Sequence, residues 1–94
     1  MKKVLVSDKM APEAIEILSK TPGIEVDVKT NLTPEQLKEI IKDYDALAIR
    51  SATKVTKEVI ERAEKLAVIA RAGVGLDNVD IDAATKRGIV AMNT

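Results

Sequence analysis

Apolar residues along this chain fall into two rhythms that alternate from end to end. Val4-Leu5-Val6, Ala46-Leu47-Ala48-Ile49, Ala67-Val68-Ile69-Ala70 and Ile89-Val90-Ala91-Met92 are short unbroken apolar runs. Such runs suit strands covered on both faces of a parallel sheet. Ile24-Glu25-Val26-Asp27-Val28 alternates strictly instead. One face of this strand is therefore wet, which predicts a sheet edge.

Between the strands the apolar residues recur at helical spacing. The first helix opens at Pro12, a residue suited to the first turn, and its pattern buries Ala14, Ile15 and Leu18. Thr21-Pro22-Gly23 breaks it. Thr33-Pro34-Glu35-Gln36 starts the second helix with a capping box, Leu32 is set to staple onto Leu37, and Leu37, Ile40 and Ile41 face inward. Thr56 caps the third helix, with Val55 and Ile60 as staple and Val59, Ile60 and Ala63 inward. Asp80 caps the fourth, Ile81 to Arg87, and Gly88 stops it. The pattern is (βα)4β: one α/β domain over residues 1–94, with a five-stranded parallel sheet and helices on both faces. Edge character in the second strand selects the order 2-1-3-4-5, the flavodoxin-like arrangement. No repeat, linker or low-complexity segment interrupts it.

Composition narrows the chemistry. Fifteen basic and 15 acidic residues cancel, so no basic face is expected for a nucleic acid. No apolar run approaches the roughly 20 residues of a membrane span. Met1-Lys2-Lys3 leads into a strand rather than a signal peptide, which predicts a soluble cytoplasmic protein and an idle Asn31-Leu32-Thr33 sequon. With 0 histidines and 0 cysteines, the usual proton shuttle, thiolate nucleophile and most transition-metal ligands are missing. Binding is a stronger reading of these residues than catalysis.

In this topology ligands bind beyond the carboxyl ends of the strands, where the strand order reverses. Here that point lies between the first and third strands. The loops there begin Ser7-Asp8-Lys9 and Arg50-Ser51-Ala52-Thr53, with Arg71-Ala72-Gly73-Val74-Gly75-Leu76-Asp77-Asn78 as neighbour. Two arginines, two hydroxyls and a glycine turn converge on one rim, a set suited to a small carboxylate or phosphate. Plainer readings stand beside this one. Arg50 at a strand end fits a surface salt bridge, Arg71 fits a pair with Asp77 or Asp80, Asp77 and Asn78 fit a turn and cap, and Tyr44 fits packing at the base of the third strand. Gly73-x-Gly75 does not make a dinucleotide fingerprint, because Asn78 replaces the third glycine and the strand before it is the fourth. A flavin site lacks its loop glycine and aromatics, and a phosphoacceptor receiver needs an aspartate where Arg50 stands.

Arg50-Ser51-Ala52-Thr53-Lys54-Val55-Thr56, followed by Arg71-Ala72-Gly73-Val74-Gly75-Leu76-Asp77-Asn78-Val79-Asp80 and Ala83 to Thr94, resembles the D-isomer-specific 2-hydroxyacid dehydrogenases, in their phosphoglycerate-oxidising branch. The resemblance implies oxidation of 3-phosphoglycerate at its 2-hydroxyl with NAD, the opening step of serine biosynthesis, by an enzyme of two lobes. This chain matches the substrate-binding lobe. By resemblance, Arg50 contacts the anionic substrate and the backbone at Val74 and Gly75 holds its carboxylate, while Ser51, Arg71 and Asn78 surround the same cleft. The family's catalytic histidine, its glutamate partner, the carbonyl-orienting arginine and the NAD site belong to the other lobe. The resemblance therefore implies no catalytic residue and no cofactor within these 94 residues, and a truncated lobe, inactive alone, that binds 3-phosphoglycerate weakly. The alternative is a scaffold without ligand that self-associates through the exposed last strand.

Overall fold

A computed structural model describes residues 2–72 and 77–93. Five strands, β1 (Lys2–Val6), β2 (Ile24–Val28), β3 (Ala46–Ile49), β4 (Val68–Arg71) and β5 (Val90–Asn93), form one parallel sheet of order β2-β1-β3-β4-β5. The expected flavodoxin-like order is thus the observed one, with the alternating strand at the edge. The helices are α1 (Pro12–Lys20), α2 (Pro34–Ile40), α3 (Lys57–Arg62) and α4 (Ile81–Lys86), and a single 3-10 turn, Ile41–Asp43, follows α2.

Local chemistry explains the helix ends. At α2 the Thr33 hydroxyl accepts from the Gln36 backbone N–H at 3.2 Å, and the Gln36 side chain accepts from the Thr33 N–H at 2.9 Å. Asp80 caps α4 through the Ala83 N–H at 3.0 Å. Gly88 then takes φ +72°, where a side chain would be strained, and its N–H reaches Thr85 while that of Ile89 reaches Ala84. Those two bonds make a Schellman end. The Arg87 guanidinium donates to the carbonyls of Glu61 and Ala63, closing the C-terminal end of α3.

The main core cluster lies on one face of the sheet. Leu5, Leu47, Ile49 and Ile69 pack there against Leu37, Ile41, Val59, Ile60, Ala63 and Ala84. Right-handed crossovers put α2, α3 and α4 on this face and α1 on the other, because the chain reverses direction after β2. The expected burial of Ala14, Ile15 and Leu18 is corrected: Ala14 is exposed and the other two are only half-buried. The reason is that α1 packs on the edge strand β2, and no second helix flanks it among the described residues. Tyr44 is buried beside the sheet as expected, and its hydroxyl donates to Asp27 at 2.7 Å.

Candidate functional site

The site is built where β1 and β3, the switch-point strands, end side by side. β1 delivers Ser7 and Asp8, both buried although polar, because they follow directly on the buried apolar end of the strand, Val4-Leu5-Val6. β3 delivers Arg50 to Thr53. The Asp8 carboxylate joins the two ends. Its Oδ2 accepts from the Arg50 backbone N–H at 2.7 Å and from the Thr53 N–H at 2.9 Å. Its Oδ1 accepts from the Thr53 hydroxyl at 2.6 Å, and that hydroxyl lies 2.9 Å from the Ser7 hydroxyl. A carboxylate is an acceptor only, and here three neutral donors compensate its burial.

The loop after β4 approaches from the opposite side. Val55 and Val79 form a short parallel bridge, with Val55 N–H to the Asn78 carbonyl and Asp80 N–H to the Val55 carbonyl, each at 2.9 Å. This bridge sets the Asn78 amide under the 50–53 loop. Its Nδ2 donates to the Arg50 carbonyl at 2.7 Å and to the Thr53 carbonyl at 2.6 Å. Two carbonyl acceptors identify that atom as nitrogen, so the amide orientation follows from chemistry. Asn78 Oδ1 is buried without a hydrogen-bond partner among the described residues.

The two arginines differ. Arg71 is held inside the rim, with 11% of its side chain exposed: Nη1 pairs with Asp77 at 3.2 Å and Nε donates to the Arg50 carbonyl at 3.4 Å. The Arg71–Asp77 pair is one of the plainer readings above, and it is observed. Arg50 is exposed. Its Nη1 reaches the Lys9 carbonyl at 3.5 Å, and no carboxylate pairs with its guanidinium among the described residues, so the surface salt bridge is not observed. Ser51 is exposed beside it. The structure therefore brings Arg50, Ser51, Arg71 and Asn78 together, while Val74 and Gly75 lie outside the described residues.

Sequence reasoning put Ser7-Asp8 on this rim but gave Asp8 and Thr53 no role. The available signal was a carboxylate placed directly after an apolar strand at the switch point, where only a hydrogen-bonded aspartate is tolerated. The same carboxylate bears on a dinucleotide. At the first βα turn, where open amides would receive a pyrophosphate, the structure presents buried Asp8 instead, and those residues do not fit the group. Among the described residues no cluster of three or more His, Cys, Asp or Glu is assembled that could hold a metal ion.

A parallel α/β lobe with a cation on its switch-point rim, and with these two loops in this order, defines a class. The chain belongs to the D-isomer specific 2-hydroxyacid dehydrogenases, the catalytic domain of that family matching residues 4–94. The D-3-phosphoglycerate dehydrogenase of Methanocaldococcus jannaschii is 56% identical over 93 residues, covering 99% of this chain and 17% of that relative. A Pyrococcus horikoshii OT3 protein of known crystal structure superposes with a TM-score of 0.94 at 39% identity, over 100% of this chain and 28% of its own. The NAD+-bound 3-phosphoglycerate dehydrogenase of Entamoeba histolytica superposes with a TM-score of 0.89 at 35% identity, over 99% of this chain and 32% of its own. The chain thus spans less than a third of the length of the Pyrococcus protein and 17% of the Methanocaldococcus enzyme.

Proposed function

We propose that this chain is the substrate-binding lobe of an NAD-dependent phosphoglycerate dehydrogenase of serine biosynthesis, a half-site that holds 3-phosphoglycerate and is catalytically inactive alone. Its setting is the cytoplasm. The exposed guanidinium of Arg50 meets the anion, with the backbone at Val74 and Gly75 receiving the carboxylate and Ser51, Arg71 and Asn78 lining the cleft. One observation carries this reading: Arg50 stands at the switch point with its backbone tied on both sides and its charge left to solvent. A guanidinium on a fixed backbone, with no carboxylate partner among the described residues, suits a bidentate phosphate or carboxylate. Names borne by relatives at 56% and 50% identity support the phosphoglycerate branch. Inactivity rests on chemistry and on the resemblance: no histidine is available as acid or base, and the resemblance assigns the NAD site to the family's other lobe.

The test is an amide correlation NMR titration of the chain with 3-phosphoglycerate, against sulfate at matched ionic strength. Shifts confined to Ser51, Val74, Gly75 and their neighbours are expected. Because the rim is open to water, each charge contact is screened and the affinity is about millimolar or weaker. Arg50→Ala abolishes the response. A titration in which sulfate and 3-phosphoglycerate act alike removes the half-site reading, and NADH production by the chain removes the claim of inactivity.

A second reading has its own support. Val90 and Met92 on β5 are 55% and 44% exposed, and each ends a row of apolar residues that crosses the sheet from β2. That surface fits a second copy of the chain, and a self-associating lobe is compatible with anion binding.

A further inference from the structure

We infer that Asp8 and Asn78 are a matched pair of positioning residues for Arg50, together setting the backbone from which its guanidinium reaches an anion. The inference rests on the half-site reading above; it adds Asp8, which has no place in the cleft, and gives Asn78 a role exerted through Arg50 rather than on the anion. It follows from how the two side chains divide the work. Residues 50–53 leave β3 and must turn without a helix or strand to satisfy their backbone. The two N–H groups of Arg50 and Thr53 go to one oxygen of Asp8, and the two carbonyls of the same residues go to one nitrogen of Asn78. An acceptor-only group thus faces both donors and a donor group faces both acceptors, from opposite sides of the loop. The four bonds measure between 2.6 and 2.9 Å. Both clamps are anchored elsewhere: Asp8 by the buried end of β1, Asn78 by the Val55–Val79 bridge.

The consequence is a division between a fixed stem and a free head. The Arg50 main chain has both its polar groups committed, whereas its side chain is exposed. A long cation that is loose from the backbone onward loses more freedom on binding than one whose stem is already fixed. Removing either clamp leaves the charge in place but lets its origin wander. The two residues therefore act on affinity through Arg50.

Three variants and one control test this in the 94-residue chain. Asp8→Ala and Asn78→Ala remove each clamp. Asp8→Asn keeps an oxygen for the two N–H groups and turns its amide toward the Thr53 hydroxyl, which can accept. Thr33→Ala weakens α2 without touching the loop. Two quantities are read: hydrogen-exchange protection of the Arg50 and Thr53 amides without ligand, and the dissociation constant for 3-phosphoglycerate. Asp8→Ala lowers protection of both amides, and Asp8→Ala and Asn78→Ala each weaken 3-phosphoglycerate about tenfold, the size of one lost hydrogen bond at the upper end of its usual range. Asp8→Asn restores most of both quantities. Thr33→Ala lowers global stability and leaves the affinity where it was. Unchanged affinity in Asp8→Ala with protection lost overturns the inference, as does Thr33→Ala weakening the ligand as much as Asp8→Ala. If Asp8→Ala does not fold, Thr53→Val, which deletes only the hydroxyl bond to Asp8, takes its place with the same two outcomes at smaller amplitude. A wild-type chain that gives no ligand shifts defeats the half-site reading instead, while the exchange pattern still reports whether the clamp exists.

Discussion

Tyr44 is the only aromatic residue of the chain, and it is held at both ends. The Lys3 ammonium lies 5.1 Å from the ring centroid, and the hydroxyl donates to Asp27. Burial first, then the hydrogen bond and charge of Asp27, push the phenol well above its ordinary pKa of 10.0. The folded state thus favours the neutral form. The stabilisation is complete below the unfolded-state pKa of about 10 and is lost as pH rises through the higher folded value. With one tyrosine and no tryptophan, ultraviolet absorbance reads this group alone. Tyrosinate absorbance is expected to stay low at pH 10 and to rise only at higher pH, together with loss of helix signal. Half-ionisation at pH 10 in the folded chain contradicts this. Tyr44→Phe removes the donor from a partly buried carboxylate and costs about 1 kcal/mol in urea unfolding. At this scale the sequence was least legible. Residue types announced Arg50 and Arg71, but the partners of Asp8 and Tyr44 lie at separations of 42 and 17 positions, which no local pattern encodes.

Elements were easier to read, because each carries its own start and stop chemistry. α2 has a complete reciprocal cap, whereas α1 begins at Ala11 with no side-chain bond and depends on Pro12. Thr33→Ala is expected to cost about 1 kcal/mol by thermal or urea unfolding. Adding Gln36→Ala should cost less than the sum of the two single changes, since each member already loses the partner's return bond. Strict additivity in that cycle would mean that the box does not act as a unit. Period and caps gave the type and order of the strands and α-helices seen among the described residues, and the alternation of β2 gave the edge. The burial of α1 was not legible for a definite reason. A 3.6-residue period says which stripe of a helix faces the sheet, but not how much sheet or how many neighbouring helices cover it. Ala14, exposed, and Ile15 and Leu18, half-buried, make up that difference.

At the scale of the molecule the two faces of the sheet are unequal. The registered pairs place Val4, Val26, Ala46, Val68 and Val90 in one row, and Val6, Val28, Ala48, Ala70 and Met92 in the next. All ten are apolar, on the face opposite α2, α3 and α4. Burial falls off across these rows: Val4 and Val6 are buried, Val68 and Ala70 half-buried, and Val90 and Met92 exposed. A continuous apolar surface of this kind is uncommon on a lone domain, and beside it β5 is an edge strand of the sheet among the described residues. Zero net charge provides no long-range repulsion between copies. Two chains related by a twofold axis could lay these rows against each other, each patch serving as its own complement. The expected result is a dimer, by sedimentation equilibrium or light scattering, whose population rises with concentration. Met92→Lys and Val90→Lys place a charge in the middle of that contact and should return the chain to monomer with its circular dichroism unchanged. Because the apolar rows and the Arg50 rim are different surfaces, neither lysine variant should alter the response to 3-phosphoglycerate. A sharp monomer at millimolar concentration would remove self-association and leave the anion site as the chain's one proposed activity. Loss of the ligand response in the lysine variants would instead mean that the two surfaces are coupled through the sheet.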